Sequence, residues 1–235
     1  MNNENKIICA LDFDDLDKAT KFVGKIEYDI IYKVGMEFFY NFGYEGINKL
    51  KKYRKGLKFF LDLKLHDIPN TVSRSIYPLV KKIKPYMITL HVAGGKKMLS
   101  AAVEAVNHAS SSVNIPRPIT LGVTILTSLK AEDLSELSLN NDIKEYVTSY
   151  ARVAKEASVD GIVCSPLEIE FIKIKFGNKL KIVTPGIRLE KNSNNDQSRV
   201  LTPIEAFNKG ADYIVMGRPL IRSNNPNDII NSIIN

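Results

Sequence analysis

An amine set between two acids marks the stretch Phe59-Phe60-Leu61-Asp62-Leu63-Lys64-Leu65-His66-Asp67-Ile68-Pro69-Asn70-Thr71. The run opens apolar and then alternates. Strand geometry, with its period of two, puts Asp62 and Lys64 on one face and the leucines on the other. With the leucines against a hydrophobic layer, the carboxylate and the amine point together into another space. Opposite charges on an inward strand face are costly unless they are paired or put to chemical use. Asp67 follows past the end of the run. Ile68-Pro69-Asn70-Thr71 then reads as a turn into a helix, with Asn70 or Thr71 able to cap it.

The elements that must position these groups recur along the whole chain. Short apolar strands are expected at 6–12, 30–35, 59–65, 87–92, 118–124, 161–165, 181–186 and 212–217. Helical stripes lie between them, such as Val72, Ile76, Leu79, Val80 and Ile83, or Leu99, Ala102, Val103 and Val106. Alternation of this kind predicts a parallel sheet, and eight units predict a closed (β/α)8 barrel in one domain spanning 1–235. An open doubly wound sheet is the competitor. It would want a glycine-rich phosphate loop after the first strand, where this chain has Asp12-Phe13-Asp14.

Ligands of such barrels bind at the carboxyl ends of the strands. Those ends carry Asp12, Lys33, Asp62, Lys64, Asp67, His91, Thr124 and, in the next loop, Thr127. The seventh strand leads to Arg188 and the eighth to Gly217-Arg218-Pro219. Proline suits a first helical turn, and backbone N–H groups beside an arginine make an anion site. The segment from Arg188 to Gln197 is polar, without apolar periodicity, and could close over a ligand. The pattern points to a small phosphorylated substrate, gripped at one end and reacted on at the other by Lys33, Asp62, Lys64 and Asp67.

Composition narrows the setting. The chain has 235 residues, 44% of them hydrophobic, enough for one substantial core. No apolar run is long enough to cross a bilayer, and the polar start Met-Asn-Asn-Glu-Asn-Lys has no signal region. Cys9 and Cys164 lie in apolar runs and read as buried free thiols. A cytoplasmic protein is expected, with no membrane partner. The net charge of +7 comes from dispersed lysines rather than one patch, so no nucleic-acid partner is expected.

Asp62-Leu-Lys64-Leu-His-Asp67-Ile-Pro-Asn-Thr71 resembles the signature of the orotidine 5′-phosphate decarboxylases of bacterial type, together with Tyr32-Lys33-Val-Gly-Met-Glu37 and Val183-Thr-Pro-Gly-Ile-Arg188. The likeness runs from about Ile8 to Arg222. It implies a (β/α)8 homodimer that converts orotidine 5′-monophosphate to UMP and CO2, the last step of de novo UMP synthesis, with neither metal nor organic cofactor. It implies Lys64 as proton donor, Asp62 beside the substrate carboxylate, and Asp67 reaching into the partner's site to complete a Lys33-Asp62-Lys64-Asp67 network. It further implies ribose contacts from Asp12, Lys33 and Thr71, the last across the interface. Thr127 would lie near the base, Ile68 among the substrate contacts, and Arg188, Gln197, Gly217 and Arg218 at the phosphate or the closing loop.

Plainer readings exist for each residue. Asp62 and Lys64 could be a structural ion pair, Asp12 a helix cap, Lys33 a snorkelling edge residue and Arg218 a surface arginine. His66, His91 and His108 lack zinc-like spacing, and Gly94-Gly95 could be a helix-start turn or a phosphate cradle. Rival functions are a metal-dependent sugar-phosphate decarboxylase or aldolase of the keto-gulonate-phosphate or hexulose-phosphate type, and a nucleotide-binding barrel without turnover. The first should want further carboxylates as magnesium ligands, against the continuation His66-Asp67-Ile68-Pro69-Asn70-Thr71.

Overall fold

A computed structural model describes residues 3–136, 142–189 and 201–235. Eight parallel strands close into a barrel in chain order: β1 (Ile7–Ala10), β2 (Ile31–Gly35), β3 (Lys58–Leu65), β4 (Met87–His91), β5 (Ile119–Val123), β6 (Gly161–Val163), β7 (Lys181–Thr184) and β8 (Tyr213–Met216). Closure comes from β1 pairing with β8, Ile8 opposite Val215. The helices are α1 (Leu16–Lys25), α2 (Met36–Tyr53), α3 (Pro69–Ile83), α4 (Gly95–Ser112), α5 (Ala131–Glu136), α6 (Ile143–Glu156), α7 (Ile169–Phe176), α8 (Pro203–Asn208), α9 (Arg218–Ile221) and α10 (Pro226–Ile234). The expected strands are all present; β3 begins one residue earlier than expected, and the others are trimmed by a residue or a few. The α5 and α8 helices were not foreseen.

Alternation along the strands divides the apolar residues between two cores. Ile8, Ala10, Ile31, Phe60, Met87, Leu121, Val183 and Val215 pack together as the barrel's interior. Their neighbours in sequence, such as Ile7, Cys9, Tyr32, Val34, Phe59, Leu61, Ile88 and Leu90, belong to the larger core shared with the helices. Each buried aliphatic side chain contributes about 1.5–3 kcal/mol by leaving water. Following the interior face toward the carboxyl ends leads from Ile31 to Lys33, from Phe60 to Asp62 and from Met87 to Thr89. The apolar plug is thus replaced by polar groups at that end. Both cysteines are buried and free, and burial raises each thiol well above its ordinary value. No helix among the described residues is long and apolar enough to cross a membrane.

Two helix starts differ from expectation. The N-cap of α3 is Ile68 in extended conformation, with Pro69 at the first position, so Asn70 and Thr71 lie inside the first turn and do not cap it. Proline already removes one of the orphan N–H groups a cap would serve. The cap of α1 is Asp15, which accepts from the N–H groups of Asp17 and Lys18 at 2.8 and 3.0 Å. That leaves Asp12 for other work. Gly94-Gly95 is a helix-start turn: Gly95 has φ +80° and opens α4.

Candidate active site

Asp62 stands at the centre of the charges. It is buried, and both its oxygens lie 3.1 Å from Lys64 Nζ. Lys33 Nζ sits 3.5 Å from Asp62 Oδ2 and 3.5 Å from Asp12 Oδ1. The result is an alternating chain, Asp12–Lys33–Asp62–Lys64, drawn from the loop after β1 and from β2 and β3. Strand register explains the meeting: Ala10 is opposite Lys33, and Gly35 is opposite Asp62. A Cβ on Gly35 would come 2.9 Å from Lys33 Nζ.

Lys64 reaches this position by an irregular route. Register between β3 and β4 runs from Leu61 opposite Ile88 to Leu65 opposite Leu90, so β3 bulges between those pairs. Lys64 sits in the bulge with φ +48°. The left-handed region costs a non-glycine residue about 1–2 kcal/mol, and such strain tends to gather at functional sites. The expected shared face for Asp62 and Lys64 therefore holds, but simple alternation is not what produces it. Bulging leaves the Lys64 N–H out of the ladder, and Thr89 Oγ1 accepts it at 2.8 Å.

The charges open onto a cleft walled by Phe60, Val123, Ile125, Leu126, Val163, Pro185 and Val215, with Thr127 at its rim. One side is apolar and the other ionic, so a planar ring could lie on the wall with one edge toward Lys64. Gly217 brings the end of β8 to the same mouth, since a Cβ on it would stand 3.7 Å from Asp12 Oδ2. Arg218 is exposed at the start of the short α9, followed by Pro219. Arg188 is half-buried after β7; its N–H donates to Leu201 O at 3.1 Å, and Ile187 bridges Leu201. That bridge joins the two ends of the segment that contains Gln197. Gln197 itself, and most of the expected closing segment, lie outside the described residues.

Other expected residues sit apart from the ion chain. Asp67 is exposed, its Oδ1 accepting from the Ile68 N–H at 2.6 Å, and Ile68 and Thr71 are exposed beside it. Asp67 and Thr71 line a second groove with Met36, Tyr40, His66, His91 and Leu126, and Lys64 borders it from the ion chain. His91 stacks on His66 with ring centroids 5.1 Å apart, and its Nδ1 accepts from the Ala93 N–H at 3.3 Å. Burial first, then His66 and Lys64, hold the His91 imidazole below its ordinary value. Thr124 is buried and donates to Val163 O at 3.0 Å, which makes it part of the scaffold rather than of the cleft.

Sequence reasoning passed over Thr89 and the apolar wall. A signal for Thr89 existed, because it lies two residues before His91 in an apolar run and so shares the inward face. The wall residues are apolar and carry no such signal.

Comparison with known proteins places this geometry. The family described as "Orotidine 5'-phosphate decarboxylase / HUMPS family" matches residues 5–233. An orotidine 5′-phosphate decarboxylase of Wigglesworthia glossinidia brevipalpis is 43% identical over 229 residues, covering 97% of this chain and 95% of that protein. One from Malacoplasma penetrans is 42% identical over 226 residues, covering 95% and 94%. The crystal structure of orotidine 5′-phosphate decarboxylase from Lactobacillus acidophilus superposes with a TM-score of 0.85 at 36% identity, covering 97% of each chain.

Proposed function

The chain belongs to the orotidine 5′-phosphate decarboxylase / HUMPS family and decarboxylates orotidine 5′-monophosphate to UMP in pyrimidine biosynthesis, and from that premise we propose which of its residues do the chemistry. The observation that carries the reading is the Lys64 ammonium, 3.1 Å from both oxygens of buried Asp62, at the mouth of the barrel. When the bond from C6 of the pyrimidine to the carboxyl carbon breaks, its electron pair stays on C6, with no adjacent electron sink. A fixed ammonium at C6 stabilises that localised charge and then gives it a proton. Lys64 is left neutral and regains its proton from solvent. The Asp62 carboxylate on one side of the amine holds it in place without competing for C6.

The remaining roles are assigned from the resemblance of the motifs. Asp62 lies beside the substrate carboxylate. Lys33 ties Asp62 to Asp12 and, with Asp12, meets the ribose. Thr127 lies near the base. Arg188, Gln197, Gly217 and Arg218 hold the phosphate or the segment that covers it. Phosphate binding occurs far from C6, so its energy can drive closure and positioning. No metal or organic cofactor is required in this scheme. Turnover unchanged by excess chelator would agree; loss of turnover, restored by added magnesium, would favour the metal-dependent sugar-phosphate chemistry instead.

Asp67 and Thr71 complete the site of a second copy. Support comes from their exposure beside Met36, Tyr40 and Ile68, which are 43%, 79% and 64% exposed. Large apolar side chains gathered beside exposed functional groups suit a self-complementary two-fold contact. A homodimer in the cytoplasm, with neither nucleic acid nor membrane as partner, is the setting that fits. Subunit mixing tests it. Asp67→Ala and Lys64→Ala proteins, each inactive, should together recover about a quarter of wild-type activity after random exchange, because half the dimers are mixed and each mixed dimer holds one intact site. No recovery after verified exchange would rule out a shared site.

A further inference from the structure

Thr89 occupies the middle of β4 and is fully buried. Its Oγ1 accepts the Lys64 N–H at 2.8 Å and lies 3.1 Å from Asp62 Oδ1 and 3.4 Å from Leu61 O. A hydroxyl has one proton to give, and the shorter, charge-assisted contact to the carboxylate takes it. One side chain therefore holds both members of the central ion pair, the lysine by its backbone and the acid by its oxygen. The other buried strand threonines are used differently. Thr120 bonds Asp160, which pairs with Arg117, while Thr124 bonds Val163 O and Thr184 bonds Cys164 O; none of them touches the Asp12–Lys33–Asp62–Lys64 chain.

The bulge gives this contact its purpose. Lys64 has a left-handed backbone, and β3 departs from β4 between Leu61 and Leu65. Without an acceptor, that buried-side N–H would have no ladder partner, and the strained turn would relax toward regular pairing. Regular pairing would redirect the Lys64 side chain. The Asp62 carboxylate would at the same time lose the hydroxyl that fixes the rotation of its oxygens toward Lys64 Nζ.

We propose that Thr89 is a positioning residue for decarboxylation: its hydroxyl locks the bulge and the carboxylate so that the Lys64 ammonium is held at the reacting carbon. The inference rests on Lys64 as the proton donor. Thr89 touches neither the phosphate grip nor the ribose contacts, so its effect falls on the chemical step and not on nucleotide affinity.

The test compares Thr89→Val, Thr89→Ser and Lys64→Ala. Valine keeps the shape and removes both hydrogen bonds; serine keeps both bonds. Expected for Thr89→Val is a fall in kcat of about 10- to 100-fold, the scale of a lost hydrogen bond to a charged group, with UMP affinity within about threefold of wild type. Thr89→Ser should recover most of the rate. Thr89→Val with near-normal kcat, or a serine protein as slow as the valine one, would overturn the proposal, as would a matching loss of UMP affinity. If the valine protein does not fold, Thr89→Ala is read by the same criteria, and failure of both to fold would assign Thr89 to the scaffold alone. Near-normal turnover by Lys64→Ala would sink the assignment of the proton donor itself, a result separable from any seen at Thr89.

Discussion

Replacing Lys33 by methionine removes the charge that links Asp12 to Asp62 while keeping the side chain's bulk. Lys33 Nζ lies 3.5 Å from an oxygen of each acid. The side chains of Lys33 and Asp62 are 14% and 13% exposed, whereas that of Asp12 is 46% exposed. At an effective dielectric of about 20, a contact at this range is worth roughly 4–5 kcal/mol before desolvation. Screening at half-exposed Asp12 discounts that half of the bridge heavily. Most of the loss therefore falls on Asp62, and removing one partner of such a buried pair costs about 2–3 kcal/mol. If that energy is expressed in the transition state, kcat/KM falls about 30- to 150-fold. The assay is the initial rate of loss of the orotate chromophore, paired with the urea midpoint to separate chemistry from folding. The double variant Lys33→Met/Asp62→Asn adds the decisive comparison. Its loss should fall short of the product of the single losses by about tenfold, since Asp62→Asn already removes what Lys33 holds. Strict multiplication of the single effects, or a Lys33→Met enzyme within about threefold of wild type, would refute the electrostatic reasoning.

Three further outcomes are expected elsewhere in the molecule. Gly35→Ala would bring a Cβ to 2.9 Å from Lys33 Nζ, the free end of a flexible chain, so stability should hardly change. Displacing that ammonium should nonetheless lower kcat about tenfold; an unaffected rate would show that the position of Lys33 is not critical. Arg218→Ala should weaken UMP binding roughly 10- to 100-fold by calorimetry with a smaller effect on kcat, and unchanged affinity would move the phosphate site elsewhere. His91 is held below its ordinary value by burial first and then by His66 and Lys64, so the folded state binds fewer protons there than the unfolded chain does. Its contribution to stability is present above the unfolded value near 6.5 and is lost as pH falls toward the lower folded value. His91→Gln should flatten that acid-side decline in urea midpoints measured between about pH 7.5 and 5, and an unchanged decline would assign it to other groups.

The barrel was legible because eight apolar strand runs recur with helical stripes between them, and the charges were legible because acids and lysines interrupt apolar runs at one end. What escaped has physical reasons. The α8 helix is only six residues long, too short for a periodic stripe. Its signal was the pair Thr202 and Glu205, which form a capping box around Pro203. Asp12 reads as a cap by type, but Asp15, of the same type and next to the first turn, is the residue that accepts from the α1 N–H groups. Alternation placed Lys64 on the correct face although the backbone bulges there, because a left-handed residue in the bulge returns the side chain toward Asp62. Nothing in residue type announces that bulge. Thr89, the group that receives the displaced N–H, becomes meaningful only once the pairing of β3 with β4 is known.

The central claim is that the Lys64 ammonium supplies the proton to C6 and stabilises the charge that precedes it. Single-turnover decarboxylation by Lys64→Ala, with UMP affinity measured on the same protein, addresses it most directly. The expected rate is lower by at least about a thousandfold, with affinity within about tenfold. A folded Lys64→Ala enzyme that releases CO2 at close to the wild-type rate would contradict it.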